Sequence, residues 1–172
     1  AHPGKKLGFM GGELGQFIEW DYKTQLDWFL LAYPRHAEMQ RYVRELNRFY
    51  LAHPALYERD CSWDGFEWLN VDDRGRSSVA FMRMSAEERI VCAFNFTPCT
   101  WKLRVSLPSA GMLFPLLSSD EHRFGGAEAA PDDAVPSEKI EFRGAENSAS
   151  LTLAPLSAAY YSFKETENGE KL

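Results

Sequence analysis

From about residue 66 to residue 164 the chain repeats one pattern: short runs that alternate apolar and polar residues, separated by turn residues. Alternation of period two places every second side chain on one face, the signature of a half-buried strand. Runs of this kind cover residues 66–72, 78–84, 89–96 and 101–107, with shorter ones at 113–117, 139–143, 150–153 and 158–164. Asp73-Arg74-Gly75-Arg76 supplies turn chemistry between the first two, and Pro98 and Pro108 break the third and fourth. Strands at such close spacing, with no helix between them, predict an antiparallel β-sandwich or a partly closed barrel. Residues 124–137 are acidic and rich in Gly, Ala and Pro, which reads as a long surface loop, and the polar tail 166–172 reads as frayed.

The first 60 residues follow other rules. Residues 5–10 form a short apolar run that reads as a buried strand, with Gly8 marking close approach of another backbone. Gly11-Gly12 permits a sharp turn, and the polar and aromatic groups Glu13, Gln16, Glu19 and Trp20 follow at once. That order suits a strand delivering side chains to the mouth of a site. Residues 25–31 predict a brief helical turn or an apolar loop that ends before Pro34. Residues 37–52 predict an amphipathic helix: Met39, Tyr42, Val43, Leu46, Phe49 and Tyr50 share one face, Glu38, Arg41, Arg44, Glu45 and Arg48 take the other, and Pro54 stops it. The expected division is a helix-containing unit over 1–60, a β domain over 61–165 and the tail 166–172.

Charge and cysteine usage exclude several classes. Residues 1–60 carry eight basic and eight acidic side chains, so the net charge of −6 resides beyond them. With no basic stripe, neither nucleic acid nor an anionic membrane surface is an expected partner. No apolar run approaches the ~20 residues of a spanning helix. Cys61, Cys92 and Cys99 are odd in number and lack ligand spacing, which suits a reducing, cytoplasmic setting better than a disulfide framework. The chain starts without Met and without a signal peptide, and its first apolar run begins at once; these features predict further polypeptide before Ala1.

Catalytic motifs are scarce. The four histidines, His2, His36, His53 and His122, lack metal-ligand spacing. Gly11-Gly12-Glu13-Leu14-Gly15 is neither a dinucleotide fingerprint nor a P-loop. No metal and no cofactor is therefore expected. Asn95-Phe96-Thr97 fits a glycosylation sequon, but Pro98 follows it, and an ordinary strand end is the expected role. Glu13, Glu19, Asp21 and Asp27 cluster near the Gly turn and either support a sugar hydroxyl or serve as turn caps and solvated charges. Of Trp20, Trp28, Trp63, Trp68 and Trp101, Trp68 alternates with Phe66 and is expected in the core. Trp20, beside the polar turn, is the candidate for a ring that faces a ligand.

An ordered series of motifs resembles the 1,4-α-glucan (glycogen) branching enzymes. It runs His2-Pro3-Gly4-Lys5-Lys6-Leu7, Phe9-Met10-Gly11-Gly12-Glu13-Leu14-Gly15-Gln16, Glu19-Trp20, Leu26-Asp27-Trp28, Arg44-Glu45-Leu46-Asn47, Pro54-Ala55-Leu56, Gly65-Phe66-Glu67-Trp68, Asn95-Phe96-Thr97-Pro98 and Leu151-Thr152-Leu153-Ala154-Pro155-Leu156. The resemblance implies that residues 5–10 are the eighth strand of a (β/α)₈ barrel, 37–52 its closing helix, and the rest the C-terminal β-sandwich. In such barrels the site lies at the C-terminal ends of the strands, which is where Glu13, Gln16, Glu19 and Trp20 would bind substrate or support residues that do. It further implies that all three catalytic carboxylates lie before Ala1, so this piece alone is expected to be inactive. Its implied partners are an α-glucan, through the parent enzyme, and the missing barrel of the same chain. Exposed apolar surface left by that absence is expected either to disorder residues 1–35 or to drive self-association. Leu14 stands where the family usually has Phe, Phe17-Ile18 is more apolar than usual, and the family's Tyr-Gly-Gly-Ser-Asn loop appears as Phe124-Gly125-Gly126-Ala127-Glu128. Alternatives with other predictions are a carbohydrate-binding or purely stabilising β module, and a debranching or trehalose-releasing relative.

Overall fold

The computed structural model describes residues 1–73, 75–127 and 133–166. One helix, α1 (Pro34–Ala52), precedes eight strands: β1 (Phe66–Asn70), β2 (Ser78–Met84), β3 (Arg89–Asn95), β4 (Trp101–Leu107), β5 (Gly111–Ser118), β6 (Val135–Pro136), β7 (Asn147–Leu153) and β8 (Ala158–Glu165). The larger sheet has the order β1-β2-β3-β8-β5-β6, the smaller pairs β4 with β7, and every pairing is antiparallel. The described residues are thus mainly antiparallel β, with one α-helix among them packed outside the sheets.

Alternation along each strand builds two cores. Ala80 and Met82 of β2, Val91 and Ala93 of β3, and Tyr161 and Phe163 of β8 face inward against Leu103, Val105, Leu151 and Leu153 of the small sheet. The intervening Phe81, Ile90, Cys92 and Tyr160 face outward, where Tyr42, Leu46, Phe49 and Tyr50 of α1 cover them. Leu113 and Leu117, both on β5, lie in different cores although their spacing of four would put them on one face. A register shift between Pro115 and Leu117 makes the switch, at a residue whose missing N–H cannot serve the ladder.

The helix begins at Pro34, three residues before the expected start, because proline suits the first helical turn and needs no partner for an N–H. His53 at its end shares a 2.6 Å contact with Glu88, whose other oxygen accepts the Ala55 N–H. Arg35 and Arg41 donate to the carbonyls of Gly125 and Arg123. A 3₁₀ turn over Trp28–Ala32 favours the brief helical turn over the apolar loop.

Other expectations fail. Residues 5–10 form no strand; parallel barrel strands are held by neighbours on both sides, and none pairs with this segment among the described residues. Residues 139–143 also form none: Arg143 and Gly144 both have positive φ, and they close a local turn bridged by Phe142 and Ala145. The strand β7 begins instead at Asn147. Within the expected loop 124–137, Val135–Pro136 pairs with β5, while 128–132 lies outside the described residues, as do Arg74 and 167–172. Trp68 is 47% exposed and not in the core. It lies opposite Phe81 on the outward face of the edge strand β1.

Asn95 ties one corner between the two sheets. The buried Asn95 side chain donates to the carbonyls of Cys99 (2.7 Å) and Ala154 (2.8 Å) and accepts from the Thr97 N–H and hydroxyl. The Trp101 indole donates to the Thr97 hydroxyl. The sequon-like motif is therefore a structural corner, as a strand end should be.

Leu151 is fully buried between the sheets. Leu151→Ala should cost about 2–5 kcal/mol through lost burial and the cavity left behind, read as a lower urea midpoint.

Candidate functional site

The Gly turn is held by its own backbone. Gly12 donates to the Phe9 carbonyl (2.8 Å), while Leu14 and Gln16 donate to that of Gly11 (3.2 and 3.1 Å). Gly11 has φ 83°, and a Cβ there would meet the Gln16 amide oxygen at 2.9 Å, so the position needs glycine. Leu14 is fully buried and anchors the turn. His36 Nδ1 lies 2.7 Å from its carbonyl, joining the turn to α1.

The four expected site residues take different environments. Glu13 is half-buried and lines a cleft of ≈ 620 Å³ with Lys6, Val43, Asn47, Tyr50 and others. Gln16 is occupied at both ends: its oxygen accepts the Asp27 N–H (3.0 Å) and its nitrogen donates to the Ile18 carbonyl (3.2 Å). Glu19 is exposed. Trp20 is 37% exposed, and its ring meets that of Phe9 edge-on at 5.5 Å. No hydrogen bond, ion pair or ring contact joins any two of the four. Glycoside chemistry with retention needs two carboxylates, about 5–5.5 Å apart, and Glu13 is the lone carboxylate among the described residues lining this cleft.

Beside the turn lies an apolar groove of ≈ 660 Å³, lined by Phe17, Ile18, Phe29, Leu30, Tyr33 and His36 among others. Leu7, Phe17 and Tyr22 are 89%, 82% and 78% exposed, so residues 7–33 present a largely uncovered apolar surface. On the β domain, the outward rings of Phe66, Trp68, Phe81 and Phe94 contact one another, with Phe96 stacked beyond Phe94. Trp63 projects farther still, at 84% exposure. Alternation put Trp68 on one face with Phe66 but could not show that α1 stops short of it. Sequence reasoning also missed Asp60 and Arg83, because an isolated Asp and an Arg on a strand carry no local signal.

No described group of three or more His, Cys, Asp or Glu side chains could hold a metal, and no described helix is long and apolar enough to cross a membrane. Cys61 and Cys99 are exposed free thiols, whereas burial pushes the Cys92 thiol up to about 12.

A sequence profile described as the alpha amylase C-terminal all-beta domain matches residues 68–164, more than half of the chain. The chain belongs to that family. Among curated relatives, the 1,4-alpha-glucan branching enzyme GlgB of Aliivibrio fischeri is 43% identical over 95% of this chain and 23% of its own length. The enzyme of the same name from Aquifex aeolicus is 44% identical over 93% of this chain and 26% of its own. The chain thus spans about a quarter of the length of these relatives. Among solved structures, an AmyP variant in complex with maltotriose superposes with a TM-score of 0.50 at 16% identity, over 77% of this chain and 22% of that one. That likeness concerns the fold alone.

Burial raises the Asp60 carboxyl, but hydrogen bonds from Arg83 and Lys6 outweigh it and hold Asp60 below the usual carboxylate range. Its contribution to stability is complete above the unfolded value, about 3.9, and is lost as pH falls through the lower folded value. Thermal midpoints should fall between about pH 5 and about pH 2, and Asp60→Asn should flatten part of that slope while lowering the midpoint at neutral pH.

Proposed function

We propose that this chain is the C-terminal part of a 1,4-α-glucan branching enzyme. The supporting observation is the 43% identity to such an enzyme, which runs through the Gly turn, α1 and the β domain together over 95% of the chain. In the proposed reaction a carboxylate displaces the 4-oxygen of an α-1,4 glucan while an acid protonates the departing chain end. The held chain, a β-glucosyl ester, is then attacked by a 6-hydroxyl, whose proton returns to the same acid group, and the α configuration is restored. The nucleophile, the acid and a third carboxylate belong to the polypeptide before Ala1.

Within this reading residues 1–60 contribute the last strand and helix of the barrel, and residues 61–165 its β buttress. The exposed apolar side chains of residues 7–33 meet the preceding barrel of the same chain, or another copy where that barrel is missing. The 5–10 segment becomes a strand when its neighbours are present. Trp20 and Glu19, exposed beside the turn, are the glucan-facing members of the rim. Gln16, whose amide is satisfied at both ends, acts by holding the loop, and Glu13 lines the cleft beneath. The cytoplasm is the proposed location, supported by the two exposed thiols.

This chain alone should leave the iodine colour of amylose unchanged, whereas the same chain joined to its preceding barrel should lower it; branching by the chain alone overturns the assignment. In the longer protein Trp20→Ala should reduce kcat/KM about tenfold, or ~1.4 kcal/mol.

The exposed rings of Trp63, Trp68 and Phe96 favour a second role, in which the β domain holds glucan directly. Glycogen in a native gel should retard the whole chain, and the Trp63→Ala, Trp68→Ala double variant should migrate freely; equal retardation of both proteins counts against this role.

A further inference from the structure

Arg83 is fully buried, yet its guanidinium reaches three separate segments. Nε donates to the Gly65 carbonyl (3.2 Å), Nη1 to the Ala1 carbonyl (2.6 Å), and Nη2 to Asp60 Oδ1 (2.5 Å). The second Asp60 oxygen receives Lys6 Nζ at 3.2 Å, and that ammonium lies 5.1 Å from the Tyr50 ring centre on α1. A continuous polar line therefore runs from the C-terminal end of β2, through the connection between α1 and β1, to the segment that enters the Gly turn.

Stability is a weak explanation for this arrangement. Removing two charges from water offsets much of their attraction, and an apolar trio of similar volume often stabilises a fold as well. A charge-assisted pair differs in being directional, because the fork of an arginine fixes where its acceptors sit. Here the fixed acceptor is Asp60, and what it holds is Lys6. Lys6 ties the approach to the turn to the connection before β1 through a side chain, with or without strand pairing of residues 5–10.

We propose that Arg83, Asp60 and Lys6 are positioning residues, a strut through which the β domain sets the location of the Gly turn that carries Glu13 and Trp20. The strut acts on the binding of an extended glucan at the rim and not on bond cleavage; this functional half rests on the branching-enzyme reading, whereas the structural half does not.

Two variants of the full chain and one of the longer enzyme test it. Lys6→Met keeps the aliphatic stem and leaves the Arg83–Asp60 pair intact, so the thermal midpoint should fall less than in Asp60→Asn. Hydrogen exchange at the Gly12, Leu14 and Gln16 amides should quicken several-fold, while the Leu103 and Leu151 amides keep their rates. Asp60→Asn should quicken the same three amides and also lower the midpoint. In the longer enzyme Lys6→Met should raise KM for amylose several-fold, with kcat held within about twofold. Unchanged exchange at the three amides in both variants overturns the strut. Faster exchange with an unchanged KM, or with a fall in kcat alone, overturns its role at the rim. If the unsubstituted longer enzyme fails to branch amylose, the branching-enzyme reading and this functional half fall, and the exchange measurements still decide the strut.

Discussion

Both faces of the six-stranded sheet are covered, one by the β4–β7 pair and the other by α1, and the rest of the structure depends on that constraint. A sheet with one wet face would show polar residues at every second position. Here β2 reads Ser-Val-Ala-Phe-Met-Arg-Met and β3 reads Arg-Ile-Val-Cys-Ala-Phe-Asn, apolar at nearly every position. Arg83 is the fully buried cation within that dense pattern, and its burial under the helix-side layer forces it to find acceptors in the protein. The link between the β domain and the N-terminal segment follows from covering the sheet twice.

The sequence was most legible where local pattern and tertiary environment agreed. Residues 78–84 and 101–107 are strands with the expected bounds, since alternation there matches a buried ladder with turns at both ends. Legibility failed where a strand needs a partner that the chain does not place beside it, as at residues 5–10. It failed too where a positive φ breaks the run, as at Arg143. Trp68 marks a third kind of failure: period two gives the face of a strand but not how far the covering helix extends. Pro34 illustrates the converse, since the residue that seemed to end one turn opens the helix.

The candidate site was legible as a neighbourhood and not as a set of roles. The Gly turn, its polar followers and the motifs downstream pointed to the rim of a carbohydrate site. The structure separates its members by what each side chain already holds: Gln16 is occupied, Glu13 faces a cleft, and Glu19 and Trp20 are exposed. Such distinctions depend on contacts between residues far apart in the chain, such as Lys6 with Asp60, and no local pattern encodes them.

The Asn95 corner has a consequence for how the domain comes apart. Among the described strands the chain passes between the sheets four times, and one side chain grips two of those crossings, the exit after Asn95 and the return through residues 154–157. The backbone adds to the grip, through Asn95 N–H to the Ser157 carbonyl and Leu156 N–H to that of Thr97. A two-stranded ribbon is marginal by itself and would ordinarily detach as an early foldon. Pinned at this corner, its opening is coupled to the ends of β3 and β8, so the sandwich unfolds as one cooperative unit.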